Sequence, residues 1–156
     1  IGINKGEKGK TGELRCLFMH GKNSKGKLEK NTKCGVFGNI TNRDGIIDEN
    51  FLVKVGSRLS MKLGAAKIVS AVEGIRQEYD IEIVKLNYQS NSNDKGFIFR
   101  VKDQNLIDVT GGIVQGMSGS PIIQDGKFVG AVTHVFLNDP TKGYGVYSDW
   151  MVSEVE

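Results

Sequence analysis

Gly116-Met117-Ser118-Gly119-Ser120-Pro121-Ile122-Ile123-Gln124-Asp125-Gly126-Lys127-Phe128-Val129-Gly130-Ala131-Val132-Thr133-His134 decides the fold. Asp125-Gly126 is a two-residue turn of the type that suits the right-handed twist of a hairpin. It predicts that the short strand 121–124 folds back on the strand 127–136. Gly116 and Gly119 flank Ser118, and glycine tolerates the positive φ of a sharp turn and the close approach of a ligand. Gly-x-Ser-Gly alone is a weak signal. A serine presented by such a turn and followed at once by a hairpin is a stronger one, because a nucleophilic serine needs an exposed hydroxyl and nearby N–H groups to hold an oxyanion. If Gln124 faces Lys127, then Thr133 faces Ser118 and His134 faces Met117. Strand alternation then puts Thr133, and not His134, on the face of Ser118, unless the 116–119 turn breaks the parity.

Outward from this block the pattern stays β. The chain has 21 Gly and only 2 Pro, with short apolar runs between the glycines, as in many short strands joined by turns. Candidate strands are 14–19, 34–41, 66–73, 77–87, 96–102, 121–124, 127–136 and 145–147. Tyr79, Ile81 and Ile83 share one face of theirs, and Phe97, Phe99 and Val101 share one face of another. Asp103 caps a possible helical turn over 103–108, and Ser148 caps a short carboxy-terminal helix over 148–154. Ile1–Gly6 looks like the end of a strand entering a loop, and 89–95 is a polar hairpin loop. The prediction is one all-β domain, 1–156, built as one or two packed barrels or half-barrels.

Bulk properties narrow the function. A chain of 156 residues, 38% hydrophobic and 25% charged, can bury a real core without staples. The net charge of +3 is too small for a nucleic-acid binder. The lysines of the first third read as a solvated, loop-rich face; the other reading is attraction to an anionic membrane or substrate. Cys16 and Cys34 sit in apolar runs and read as buried free thiols, with a single bridge between them as the alternative. With only His20 and His134 to join them, they do not suggest zinc. No segment is long and apolar enough to span a membrane.

Two resemblances carry function. Residues 116–154 resemble chymotrypsin-like peptidases: the serine turn, the hairpin, the Gly145-Val146-Tyr147 strand and a terminal helix occur in the same order, with Met117 where that family has an acid. Thr110–Lys127, Gly130–Phe136 and Asn138–Val146, with Asp80–Val84, Gly35–Gly38 and Lys5–Gly9, resemble the peptidase domain of stage IV sporulation protein B. The resemblance implies a SpoIVB-type serine endopeptidase that works through an acyl-enzyme and needs no cofactor or metal. It makes Ser118 the nucleophile and Asp103, fifteen residues earlier, the orienting acid, with Asp108 as competitor. The backbones of Gly116 and Ser118 become the oxyanion donors.

No residue matches the family's Gly-His base. His20 reads as a surface residue, and His134 as cleft-lining together with Thr133, or as a substitute base. The chain is therefore expected to be cut before its catalytic His, the PDZ domain and the membrane anchor, and to be inactive as it stands. The resemblance further implies secretion from the forespore into the space between its two membranes. It implies self-cleavage and cleavage of the complex that restrains a membrane-embedded metalloprotease. The rival reading is a peptide- or partner-binding module without hydrolysis.

Overall fold

The computed structural model describes residues 2–16, 24–43, 45–88 and 91–155. Eleven strands and two helices are found among them. In chain order these are β1 (Gly2–Asn4), β2 (Glu13–Arg15), β3 (Gly26–Thr32), β4 (Gly35–Ile40), β5 (Lys54–Val55), β6 (Gly64–Ser70), β7 (Gln77–Leu86) and β8 (Phe97–Val101). There follow α1 (Gln104–Thr110), β9 (Pro121–Gln124), β10 (Lys127–Phe136), β11 (Asp139–Tyr147) and α2 (Ser148–Val152).

Two meanders, β6-β7-β8 and β9-β10-β11, lie side by side. Antiparallel pairing of β6 with β9 and of β8 with β11 closes them into a six-stranded barrel. This is an all-β, antiparallel barrel with a short carboxy-terminal helix, the fold class that the sequence predicts. Tyr79, Ile81 and Ile83 from β7 and Phe97, Phe99 and Val101 from β8 are buried, so the period-2 pattern faces inward. They pack with Ile68, Ile122, Ala131 and Val146 in one core. Three inward positions of β10 and β11 are glycines because Phe97 and Phe99 fill their space. A Cβ at Gly145 would lie 2.3 Å from the Phe97 ring, and one at Gly143 would lie 2.6 Å from Phe99.

Outside the barrel are two ribbons. The β1–β2 ribbon braces the segment before Ser118: Leu14 N–H donates to the Gln115 carbonyl at 2.8 Å, and Gln115 N–H donates to Gly12 O at 2.9 Å. The β3–β4 ribbon stands against the other side of the serine turn. Strand β3 is absent from the sequence reading because Lys27, Glu29, Lys30 and Asn31 show no apolar alternation; nearly all of the strand is exposed.

Other boundaries also move. Strand β6 is 64–70 and not 66–73, because a turn at Ala71–Gly74 ends it. Strand β11 begins at Asp139, six residues before the expected 145, through Pro140. Helix α1 runs to Thr110, closed by Gly111 at φ +78°. Ser148 does not cap α2; its hydroxyl donates to the Gly56 carbonyl at 2.6 Å, and Tyr147 takes the N-cap position. Both cysteines are free and Cys34 is buried. Cys16 is exposed, just beyond the end of β2, contrary to the expectation of burial. His20 and the distal part of the predicted strand 14–19 lie outside the described residues, as do the first two positions of the 89–95 loop.

Candidate active site

The Ser118 turn is built by three devices. Helix α1 hands the chain to Gly111 and Gly112, whose carbonyl accepts from Thr110 Oγ1 at 2.5 Å, while Ile113 N–H donates to Pro140 O at 2.7 Å. Met117 is buried beneath the turn and anchors it to the core. Gly116 and Gly119 then take φ of +100° and +88°. A side chain is strained at either position, and at Gly116 a Cβ would also meet the Leu14 Cβ at 3.0 Å. The result leaves Ser118 exposed, with Ser120 N–H donating back to Met117 O at 3.0 Å.

The amides of Gly116 and Ser118 have no acceptor among the described residues. The Ser118 hydroxyl donates to the Thr133 carbonyl at 3.0 Å. The nearest chemistry is therefore a serine parked on a backbone oxygen beside two uncommitted N–H donors.

The predicted hairpin is present, with Asp125 at φ +50° and Gly126 at φ +70°. Its register is not as extrapolated. Gln124 pairs with Lys127 and Ile123 with Phe128, but a bulge at Val129 then pairs Ile122 with Gly130 and Pro121 with Ala131. The ladder runs on as Val132 N–H to Ser120 O at 3.0 Å and Gly119 N–H to Val132 O at 2.8 Å. The one-residue slip moves Met117 away from His134. A second irregularity, between Val132 and His134 in the pairing with β11, breaks the alternation at Thr133. Thr133 turns its hydroxyl to the Asp94 carbonyl at 2.6 Å and the Tyr144 carbonyl at 3.2 Å. His134 remains on the same cleft.

That cleft has a volume of about 470 Å³ and opens beside Ser118. Its walls are Thr133, His134 and Asp94 on one side and Cys34, Val36 and Met151 on the other. The Nε2 of His134 lies 3.8 Å from an Asp94 carboxylate oxygen, and both side chains are partly exposed. Burial, and next the charge of Glu154, push the Cys34 thiol above its ordinary value. A thiol so held is a wall and not a second nucleophile.

Asp103 stands elsewhere. It is the N-cap of α1: one carboxylate oxygen accepts from Leu106 N–H at 2.9 Å, the other from Asp80 N–H at 3.3 Å. It does not line the Ser118 cleft. Asp108 accepts from the Gln104 side-chain amide at 2.8 Å, on exposed helix surface. Structure thus gathers Ser118, Thr133 and His134, and leaves both carboxylates apart from them.

A sequence model of the SpoIVB peptidase S55 family matches residues 1–152, nearly the whole chain. The chain belongs to this family. It is a SpoIVB-type serine peptidase domain, a hydrolase class tied to sporulation. No curated protein matches it.

Asp94, Cys34 and Met151 also line the cleft, and the sequence does not mark them as cleft residues. Asp94 sits in a polar loop whose composition signals only a turn. Cys34 heads β4 at the tip of a ribbon that carries no strand signal on its first half. Neither had a pattern that could mark it.

Proposed function

We propose that Ser118 is the nucleophile of a peptide-bond hydrolase and that the Gly116 and Ser118 amides receive the oxyanion. The observation that carries this is the glycine-hinged turn, which exposes the hydroxyl on the wall of a cleft and leaves those two N–H groups without an acceptor among the described residues. In the acylation step a base takes the Oγ proton, the Oγ–C bond forms and the C–N bond breaks. The proton passes to the leaving amine, and water then releases the acyl group.

The base proposed is an imidazole from the family's Gly-His segment, which has no counterpart in these 156 residues. Without that imidazole, these 156 residues turn over peptides negligibly. In the resting arrangement the serine is bonded to the Thr133 carbonyl, so an incoming imidazole must compete with that bond. Asp103 remains the acid that the family resemblance suggests, and that role requires its carboxylate to leave the Leu106 and Asp80 amides. His134, with Asp94 near its Nε2, is the second candidate for base.

In the cell, the reading is secretion from the forespore, self-cleavage, and cleavage of the regulatory complex of a membrane-embedded metalloprotease. Family membership supports the setting in sporulation. The same Ser118–Thr133 bond favours a second reading, a peptide-holding module that does not hydrolyse. Labelling with a fluorophosphonate, read by intact mass, separates the two. Covalent adduct on the natural polypeptide, absent from Ser118→Ala, supports the peptidase; an unlabelled serine in a polypeptide that still binds peptides supports the holding module.

A further inference from the structure

We propose that the cleft beside Ser118 selects peptides by a large apolar side chain, Leu, Met or Phe, on one of the two residues that flank the scissile bond. The inference rests on the peptidase reading and adds what that peptidase prefers. Three elements build the cleft. Its floor is the outer face of the β10–β11 hairpin. Gly130 and Gly145 turn inward, where a Cβ would lie 2.8 Å and 2.3 Å from the Phe97 ring. Their neighbours Ala131 and Val146, which pair across the hairpin, therefore share the opposite face and line the cleft. Cys34, at the tip of the β3–β4 ribbon, and Met151, on α2, complete the apolar wall. Ribbon and helix are tied to the rest of the molecule. Phe37 packs against the core, the Cys34 N–H donates to Thr32 Oγ1 at 3.1 Å, and Lys30 reaches the Glu154 carbonyl just beyond α2. The hollow is thus formed before a substrate arrives, and filling it needs little reordering.

The chemistry of the wall chooses the occupant. A volume of about 470 Å³ is within the range of ligand pockets, about 300–1,000 Å³. Ser118 is itself a lining residue, so a side chain seated here belongs to a residue next to the bond under attack. Ala131, Val146, Met151 and Cys34 offer it only methyl, methylene and sulfur surface. Cys34 is 3% exposed, and burial keeps its thiol neutral by pushing its ionisation above the ordinary value. A carboxylate or ammonium entering here would lose its water and gain no partner from these four residues. Charge gathers at the opening instead, and in both signs: Lys33 is exposed there, and Asp94 lies 3.8 Å from His134. Opposed charges at the opening favour substrates of neither sign. An apolar side chain gains in proportion to the area it removes from water.

The test gives the natural polypeptide that contains these residues a mixture of random-sequence peptides. Mass spectrometry reads each cut site and its initial rate. The expected result is that Leu, Met and Phe at one flanking position are cut at least about tenfold faster than Ala, and that Glu and Lys are cut no faster than Ala. Met151→Ala lowers the Leu-to-Ala ratio by about fourfold or more, the worth of one buried methylene, and Met151→Glu abolishes it. Leu59→Ala, at an exposed apolar position outside the cleft, leaves the ratio unchanged. Far-UV circular dichroism confirms that each variant is folded. Fluorophosphonate labelling of Ser118, run in parallel, separates this inference from the reading beneath it. A labelled wild type that cuts without apolar preference, that prefers Lys or Glu, or whose preference survives Met151→Ala overturns the inference and keeps the peptidase. Absence of both labelling and Ser118-dependent cutting overturns the two together.

Discussion

Replacing Asp103 by Ala removes two hydrogen bonds at once. Loss of the bond from Leu106 N–H, at 2.9 Å, is loss of an N-cap and costs about 1 kcal/mol. The bond from Asp80 N–H is longer, 3.3 Å, and adds roughly 0.5 kcal/mol. The sum, about 1.5 kcal/mol, lowers the melting temperature of a domain of this size by about 3–6 °C. Asp103→Asn keeps an oxygen for the cap and loses only the weaker bond, so its cost is about 0.5 kcal/mol. Urea denaturation of the three proteins, with m held constant, measures both differences. A loss below about 0.3 kcal/mol for Ala, or equal losses for Ala and Asn, refutes the capping account. The same pair of variants reads the catalytic question. If Asp103 leaves its cap to orient an imidazole in the natural polypeptide, Asn cuts turnover by orders of magnitude while barely touching stability.

Gly145→Ala should destabilise the barrel by about 1–3 kcal/mol in urea denaturation, because its methyl overlaps the buried Phe97 ring; Phe97→Leu in the same chain should recover part of that loss. Asp139 accepts hydrogen bonds from Thr141 and pairs with Lys142, so its carboxyl titrates below its ordinary 3.8. Its stabilising contribution is therefore complete above that value and is lost as pH falls through the lowered one. Asp139→Asn should narrow the stability gap to wild type only below about pH 4, read from urea midpoints across an acid series. With Ellman's reagent, Cys16 should react at once and Cys34 only after unfolding, because one thiol is exposed and the other buried with its ionisation suppressed.

What the sequence revealed follows burial. Tyr79, Ile81 and Ile83 alternate because one face of β7 is packed, and the pattern survives translation into residues. Asp125-Gly126 marks its turn because few residue pairs accept positive φ twice. Strand β3 has no buried face and so leaves no pattern. The bulge at Val129 was invisible for another reason: one extra residue in a ladder changes hydrogen-bond partners without changing composition. That slip moves the partners of Pro121 and Ile122 along by one position, while Thr133 and His134 line the cleft beside Ser118. Asp103 shows the reverse case. Its capping signature was plain in the local sequence, and the cap is what the backbone of Leu106 receives.

Peptide hydrolysis by the natural polypeptide that contains these residues shows whether Ser118 attacks the substrate. Wild type and Ser118→Ala are assayed side by side on a fluorogenic peptide panel. Wild type should turn over on the order of 1 s⁻¹ or more, and Ser118→Ala should be slower by several orders of magnitude. Comparable rates in the two proteins, with both folded, would contradict attack by Ser118.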